Sequence, residues 1–306
     1  MTMISAPFVA GFLCAVPAGG SFFPQGGYLK RWRKPLVSAL MQRCKQSPTR
    51  CHDMDIYEFG VFTGRMLKAM ARALDDKDLA GTIWGFDSFR GLPRDEESAT
   101  KGEFRGLRGV WGQHGEIFRE GRFDVRKEVA IRRNASAPRS GLEDDGVAEA
   151  MAAVSAYINS SRVRLVPGFF NQSLVHSLAS SSGMKPALYV DIDSDQYVGS
   201  FQALDWLCRN GLLVNGTIIG YDDFNQGYPA GWHGWPPTKS GTDYEAPLQG
   251  EPRAHRKIEK VWGVKFVKLQ YVPSSGGESG WAFEITHPPR RQRDKQTKEP
   301  GTHALT

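Results

Sequence analysis

Cysteine is scarce in this 306-residue chain, and its four copies (Cys14, Cys44, Cys51, Cys208) form no CxxC pair. That excludes a disulfide framework and reads as unpaired thiols of a reducing compartment, hence a cytoplasmic protein. No run reaches the roughly eighteen uninterrupted apolar residues of a spanning helix, and 34 Gly with 18 Pro is ordinary, so membrane and fibrous classes drop out. Residues 1–27 contain no charged side chain at all. Within them the apolar stretch FVAGFLCAVPAG is broken by Gly11 and Pro17 and follows MTMISAP, which has no Lys or Arg, so it reads as a loose arm rather than a cleaved signal.

Acids are also missing where the bases gather. The net charge is +6, yet residues 28–50 hold seven Lys/Arg and no acid, and residues 287–306 hold five Lys/Arg against two acids. These ends carry +7 and +3, which leaves −4 for residues 51–286. The body is mildly acidic, and a site in it does not work through a general positive field. The chain divides into an arm and basic helix (1–50), a globular body (51–286) and a basic tail (287–306) too poor in apolar residues to fold.

What is present in the body is an alternation of short apolar strands and helices. Strands are expected at 55–59, 82–86, 163–166, 187–192 and 217–221, with helices at 66–74, 146–157 and 201–208 between them. Such strands, several ending in Gly or Asp, predict an α/β fold: a doubly wound, Rossmann-like parallel sheet whose ligands sit at the carboxyl ends of the strands. The last two strands, around 264–272 and 281–285, alternate and are joined by PSSGGESG, which predicts an antiparallel hairpin. The polar interval 94–161 reads as a lid or surface insertion.

Three constellations carry chemistry. The first, YEFGVFTG, places Glu58, Gly60, Val61 and Gly64 at the end of the first strand, where glycine lets backbone approach a ligand. WGFDSFRGLP then offers Asp87, with Ser88 beside it, at the point of such a sheet where a carboxylate accepts from both hydroxyls of a ribose. The densest is VDIDSDQY with GYDDF, bringing Asp191, Asp193, Asp195, Asp222 and Asp223 to adjacent strand ends. Clustered carboxylates call for a compensating cation, and all-oxygen ligands favour Mg, Mn or Ca over Zn.

With GRFDV and VRLVPGFFNQSL added, the ordered set resembles the macrocin O-methyltransferase (TylF-like) family of class I S-adenosylmethionine-dependent methyltransferases over most of residues 51–286. The resemblance implies a seven-stranded sheet with its last strand inserted antiparallel. It implies S-adenosyl-L-methionine across Gly60 to Gly64 and Asp87, and Mg2+ or another divalent cation on Asp193, Asp222 and Asp223. Asp195 falls on the general base of some members. The chain departs from the pattern at Gln196, where an apolar residue is usual, at Gly199, where Ser is common, and at Arg65.

Transfer of a methyl group in line from a sulfonium needs the acceptor hydroxyl deprotonated and its oxygen held. Asp195 is the expected base and His233, in the aromatic loop FNQGYPAGWHGWPP, the alternative. The loop suits a sugar or ring, so the expected acceptor is a small hydroxylated molecule such as a glycosylated natural product. A membrane and a nucleic acid are not the expected partners, and a homo-oligomer is compatible with the sequence. Two competing readings remain: a nucleic-acid or anionic-surface binder using residues 28–50, and a dinucleotide oxidoreductase, which the missing third glycine disfavours.

Overall fold

The computed structural model describes residues 40, 43–47, 51–75, 81–93, 121–132, 146–222, 224, 250–269 and 281–290. Seven strands make one sheet: β1 (Asp55–Phe59), β2 (Ile83–Asp87), β3 (Val163–Pro167), β4 (Ala187–Ile192), β5 (Ile218–Tyr221), β6 (Lys265–Lys268) and β7 (Trp281–His287). Their order is β3-β2-β1-β4-β5-β7-β6. The first five are parallel, while β7 runs antiparallel between β5 and β6. This is the seven-stranded sheet with an inserted antiparallel last strand that the resemblance implied and the terminal hairpin signalled.

Burial follows position in the sheet. Central β1 and β4 are buried at every residue, which is why they read as largely apolar runs, with the acids Asp55, Glu58 and Asp191 embedded in them. Edge strand β6 exposes Lys265 and Lys268, charges that blunt an open edge.

One face is covered by α1 (Arg65–Asp75), α2 (Val125–Arg132) and α3 (Val147–Ile158). In α1 the buried residues Met66, Leu67, Met70, Ala71 and Leu74 form one helical stripe in a segment of good helix formers. The two short helices α4 (Phe170–Ser173) and α5 (Leu178–Ser181), with α6 (Tyr197–Arg209) and α7 (Gly250–Trp262), cover the other face. Ala254, Ile258 and Trp262 are buried at four-residue spacing in α7, a stripe legible in GEPRAHRKIEKVW although no helix was expected there.

Two expectations need correction. Cys44 and Cys51 form a disulfide, because residues 43–46 are helical and fold back on the turn before β1, bringing the two Cα atoms to 5.5 Å. Arg43 fastens the same helix to the far side of the sheet through Glu284 Oε2 (2.7 Å) and the Gly216 carbonyl (3.2 Å). The interval 94–161 is not a lid throughout. α3 buries Ala150, Ala153, Val154 and Ile158 and serves as the crossover helix between β2 and β3. α2 follows Asp124, whose buried carboxylate accepts from both Nε and Nη2 of Arg126 at 3.0 Å. Residues 94–120 and 133–145 lie outside the described set, as do residues 1–39 and the tail beyond 290.

Candidate functional site

β1 ends at Gly60, whose φ of +98° belongs to the region that glycine occupies without a steric cost. A Cβ here would stand 1.9 Å from the Asp193 carbonyl oxygen. The close approach predicted from the sequence is real, but the neighbour is the chain itself. Gly60 lets the loops after β1 and β4 touch, while Gly60 N donates to Phe86 O and Asp193 N to Phe59 O, both at 2.9 Å. Three adjacent strand ends are thereby locked together.

Asp87 closes the other side. Its Oδ2 accepts from the backbone N–H groups of Val61 and Phe62, both at 2.8 Å, and its Oδ1 from Phe89 N at 2.6 Å. The carboxylate thus clamps the 60–64 loop over the end of β2. Burial pushes its pKa above the ordinary value and the nearby Asp193 charge adds to this, against the three N–H groups, which hold it down. Phe62, Phe89 and Asp195 all have positive φ, so backbone strain concentrates in the loops around this point.

Beyond Asp87 the FRGLP turn is built by Ser88, whose Oγ donates to Gly91 O (2.7 Å) and accepts from Arg90 N (3.0 Å). Arg90 is buried, lies 4.5 Å over the ring of Phe169 and reaches Gln172 Oε1 at 3.4 Å, so it fixes the loop after β3. Gln196 Nε2 donates to Pro93 O at 3.3 Å and joins the loop after β4 to the same turn. The polar residue that stood out from the family pattern has this bond as its reason. Gly199 has a packing reason: a Cβ would lie 3.2 Å from both Cβ and Oγ of Ser194.

These loops enclose a cleft of about 170 Å³. Gly60, Asp87, Ser88 and Asp193 line it, with Phe169, Phe170 and Asn171 from the loop after β3 and Gln202 from α6. That volume takes roughly one aromatic ring. Two phenylalanines, three side-chain amides (Asn171, Gln196 and Gln202) and the carboxylates of Asp87 and Asp193 suit a planar heterocycle joined to a polyol. Phe169, Phe170, Asn171 and Gln202 are additions to the expected site. GFFNQ directly after a predicted strand carried the signal, since ligands gather at strand ends.

The other expected residues that the structure describes are not among the cleft's lining. Glu58 is buried in β1, in register with Asp191 of β4 and Gly85 of β2. Val61 gives its N–H to Asp87, but its side chain is in the core. Gly64 has φ +75°, and a Cβ there would meet Val154 and Ile158 at 2.9 Å, so α3 is what requires this glycine. Asp191 is buried and accepts the Tyr189 hydroxyl at 2.8 Å. Asp222 is buried at the end of β5, its N–H on Ile192 O at 3.1 Å, and Asp195 is half-buried with φ +58°. Among the described residues no group of three or more His, Cys, Asp or Glu could hold a metal ion. Asp223 and His233 lie outside those residues.

No protein-family model matches the chain, and no curated protein matches its sequence. Solved structures similar to it include the O-methyltransferase NovP, at 16% identity over 82% of this chain and 80% of that one, with a TM-score of 0.46. CalS11, a calicheamicin methyltransferase, matches at 16% identity over 82% and 77%, with a TM-score of 0.48. The SAH-bound Podospora anserina methyltransferase PaMTH1 matches at 11% identity over 82% and 78%, with a TM-score of 0.40.

Proposed function

We propose that this chain is an S-adenosylmethionine-dependent O-methyltransferase acting on a hydroxyl of a small molecule, of the sugar or glycosylated natural-product class. The observation that carries the reading is the cleft in which Gly60, Asp87 and Asp193 meet across three parallel strand ends. The donor fits the residues present: Asp87 Oδ1 receives a single N–H and keeps acceptor capacity for a ribose hydroxyl, while Phe169 and Phe170 offer ring faces to an adenine. When bound, S-adenosylmethionine supplies an electrophilic methyl group.

The chain's own part is to bind, orient and move a proton. Asp195, in a left-handed backbone conformation just before α6, accepts the proton of the acceptor hydroxyl on a carboxylate oxygen. The loop bonds from Asp87 and Gln196 hold the walls in place before substrate arrives, which lowers the reorganisation needed for an in-line approach. A divalent cation would call on Asp193, Asp222 and Asp223, a donor set of hard oxygens. The described residues do not complete that group, so no step is derived through a metal.

Labelled methyl transfer to a panel of hydroxylated glycosides tests the reading, with and without excess chelator. Transfer to at least one member, absent from Asp195→Asn, is the expected result. Activity surviving in excess chelator removes the cation from the proposal, and no transfer to any hydroxylated acceptor by a chain that binds the donor removes the acceptor class.

A further inference from the structure

At the opposite end of the sheet the described residues form a second and larger concavity, about 890 Å³, inside the roughly 300–1,000 Å³ range of small-molecule sites. Leu213, Trp262, Pro288 and Pro289 make its apolar part, and His176, Arg209 and Arg290 its charged part. No acid is among the lining residues. The neighbouring carboxylate of Asp205 is already used on both oxygens: Oδ1 accepts from Trp262 Nε1 at 2.9 Å, and Oδ2 from Arg209 Nε.

The two guanidinium groups are not needed by the helix ends beside them. The last carbonyls of α6 are taken by the N–H groups of Asn210, Gly211 and Leu212, and those of α7 by the N–H groups of Gly263 and Arg290. Arg209 keeps its terminal nitrogens without a protein acceptor among the described residues. The Arg290 side chain lies over Gly263, where a Cβ would be 3.2 Å from its Nε, and has no carboxylate partner among those residues.

We propose that this groove binds a small organic anion, a phosphate or carboxylate carried on an apolar or aromatic body, with Arg209 and Arg290 taking the anion and the Trp262–Pro288 side taking the body. Fork-shaped guanidinium donors suit such oxyanions, and an apolar wall without competing acids suits the remainder. The inference is independent of the reaction proposed for the cleft.

Fluorescence titration of the full chain with an anilinonaphthalene sulfonate, an aromatic anion, reads the site directly. Saturable binding is expected, displaced by phenyl phosphate more strongly than by inorganic phosphate and weakened by salt. Arg290→Glu is expected to weaken it by at least about tenfold, the value of one charge-assisted pair, without moving the urea midpoint, because this side chain makes no bond that supports the fold. Arg209→Ala together with Arg290→Ala removes saturable binding. Equal dye affinity in Arg290→Glu overturns the proposal, as does displacement by S-adenosylhomocysteine as complete as by phenyl phosphate, which would put the dye in the cleft.

Discussion

Replacing Asp87 by Asn isolates the clamp on which the cleft depends. The side chain keeps its shape but loses its charge and exchanges one acceptor for an NH2 group. If the amide oxygen stays on Val61 and Phe62, the NH2 group faces Phe89 N–H across what is now a 2.6 Å hydrogen bond, leaving a donor against a donor. An unsatisfied buried donor costs about 1–3 kcal/mol, and two charge-assisted bonds becoming neutral cost about 1 kcal/mol each. Removing a charge held at a raised pKa beside Asp193 returns part of this. The net expectation is a loss of about 2–4 kcal/mol in urea unfolding at pH 7, with the slope against urea unchanged. Asp87→Ala, which strands all three donors, should lose more. A midpoint for Asp87→Asn equal to that of the parent would refute the clamp, and the carboxylate would then serve only a ligand.

Gly60→Ala and Gly64→Ala should separate the two motif glycines. The first sets a Cβ 1.9 Å from a backbone carbonyl and should lose upwards of about 3 kcal/mol, while the second meets movable side chains at 2.9 Å and should lose less. His255 is fully buried against Tyr221 and Phe266; burial, then the Arg256 charge, lowers its pKa from 6.5 to about 3. The unfolded chain therefore takes up the proton first, and stability present above about pH 6.5 should fall by about 1.4 kcal/mol per unit as pH drops toward 3. His255→Phe should flatten that limb of the profile, and an unchanged slope would put the acid sensitivity elsewhere. Cys44→Ser with Cys51→Ser opens a short covalent loop and should cost about 2 kcal/mol, read as a lower urea midpoint that dithiothreitol no longer shifts.

The sheet was legible because its central strands are buried on both faces, so β1 and β4 appear as short, largely apolar segments followed by Gly60 and Asp193. The inserted last strand was legible as alternation across a Gly-Ser turn. Gly60, Asp87 and Asp193, named from the sequence, all line the cleft because the ends of parallel strands gather at one edge of the sheet. What sequence patterns did not carry was direction. Glu58, Val61 and Gly64 belong to the same motif as Gly60, but strand alternation and the approach of α3 turn them toward the core. The pairing of Cys44 with Cys51 depends on a helix folding back before β1, which spacing alone does not reveal. Phe169, which lines the cleft, also packs against Arg90 from the loop after β2, a contact the sequence does not show.

Calorimetric titration of the full chain with S-adenosylhomocysteine tests the central claim most directly. One saturable site per chain is predicted, lost in Gln202→Trp, which fills the cleft from α6 without touching Asp87. No saturable heat, or the same affinity in Gln202→Trp, would contradict the assignment of this cleft to the methyl donor.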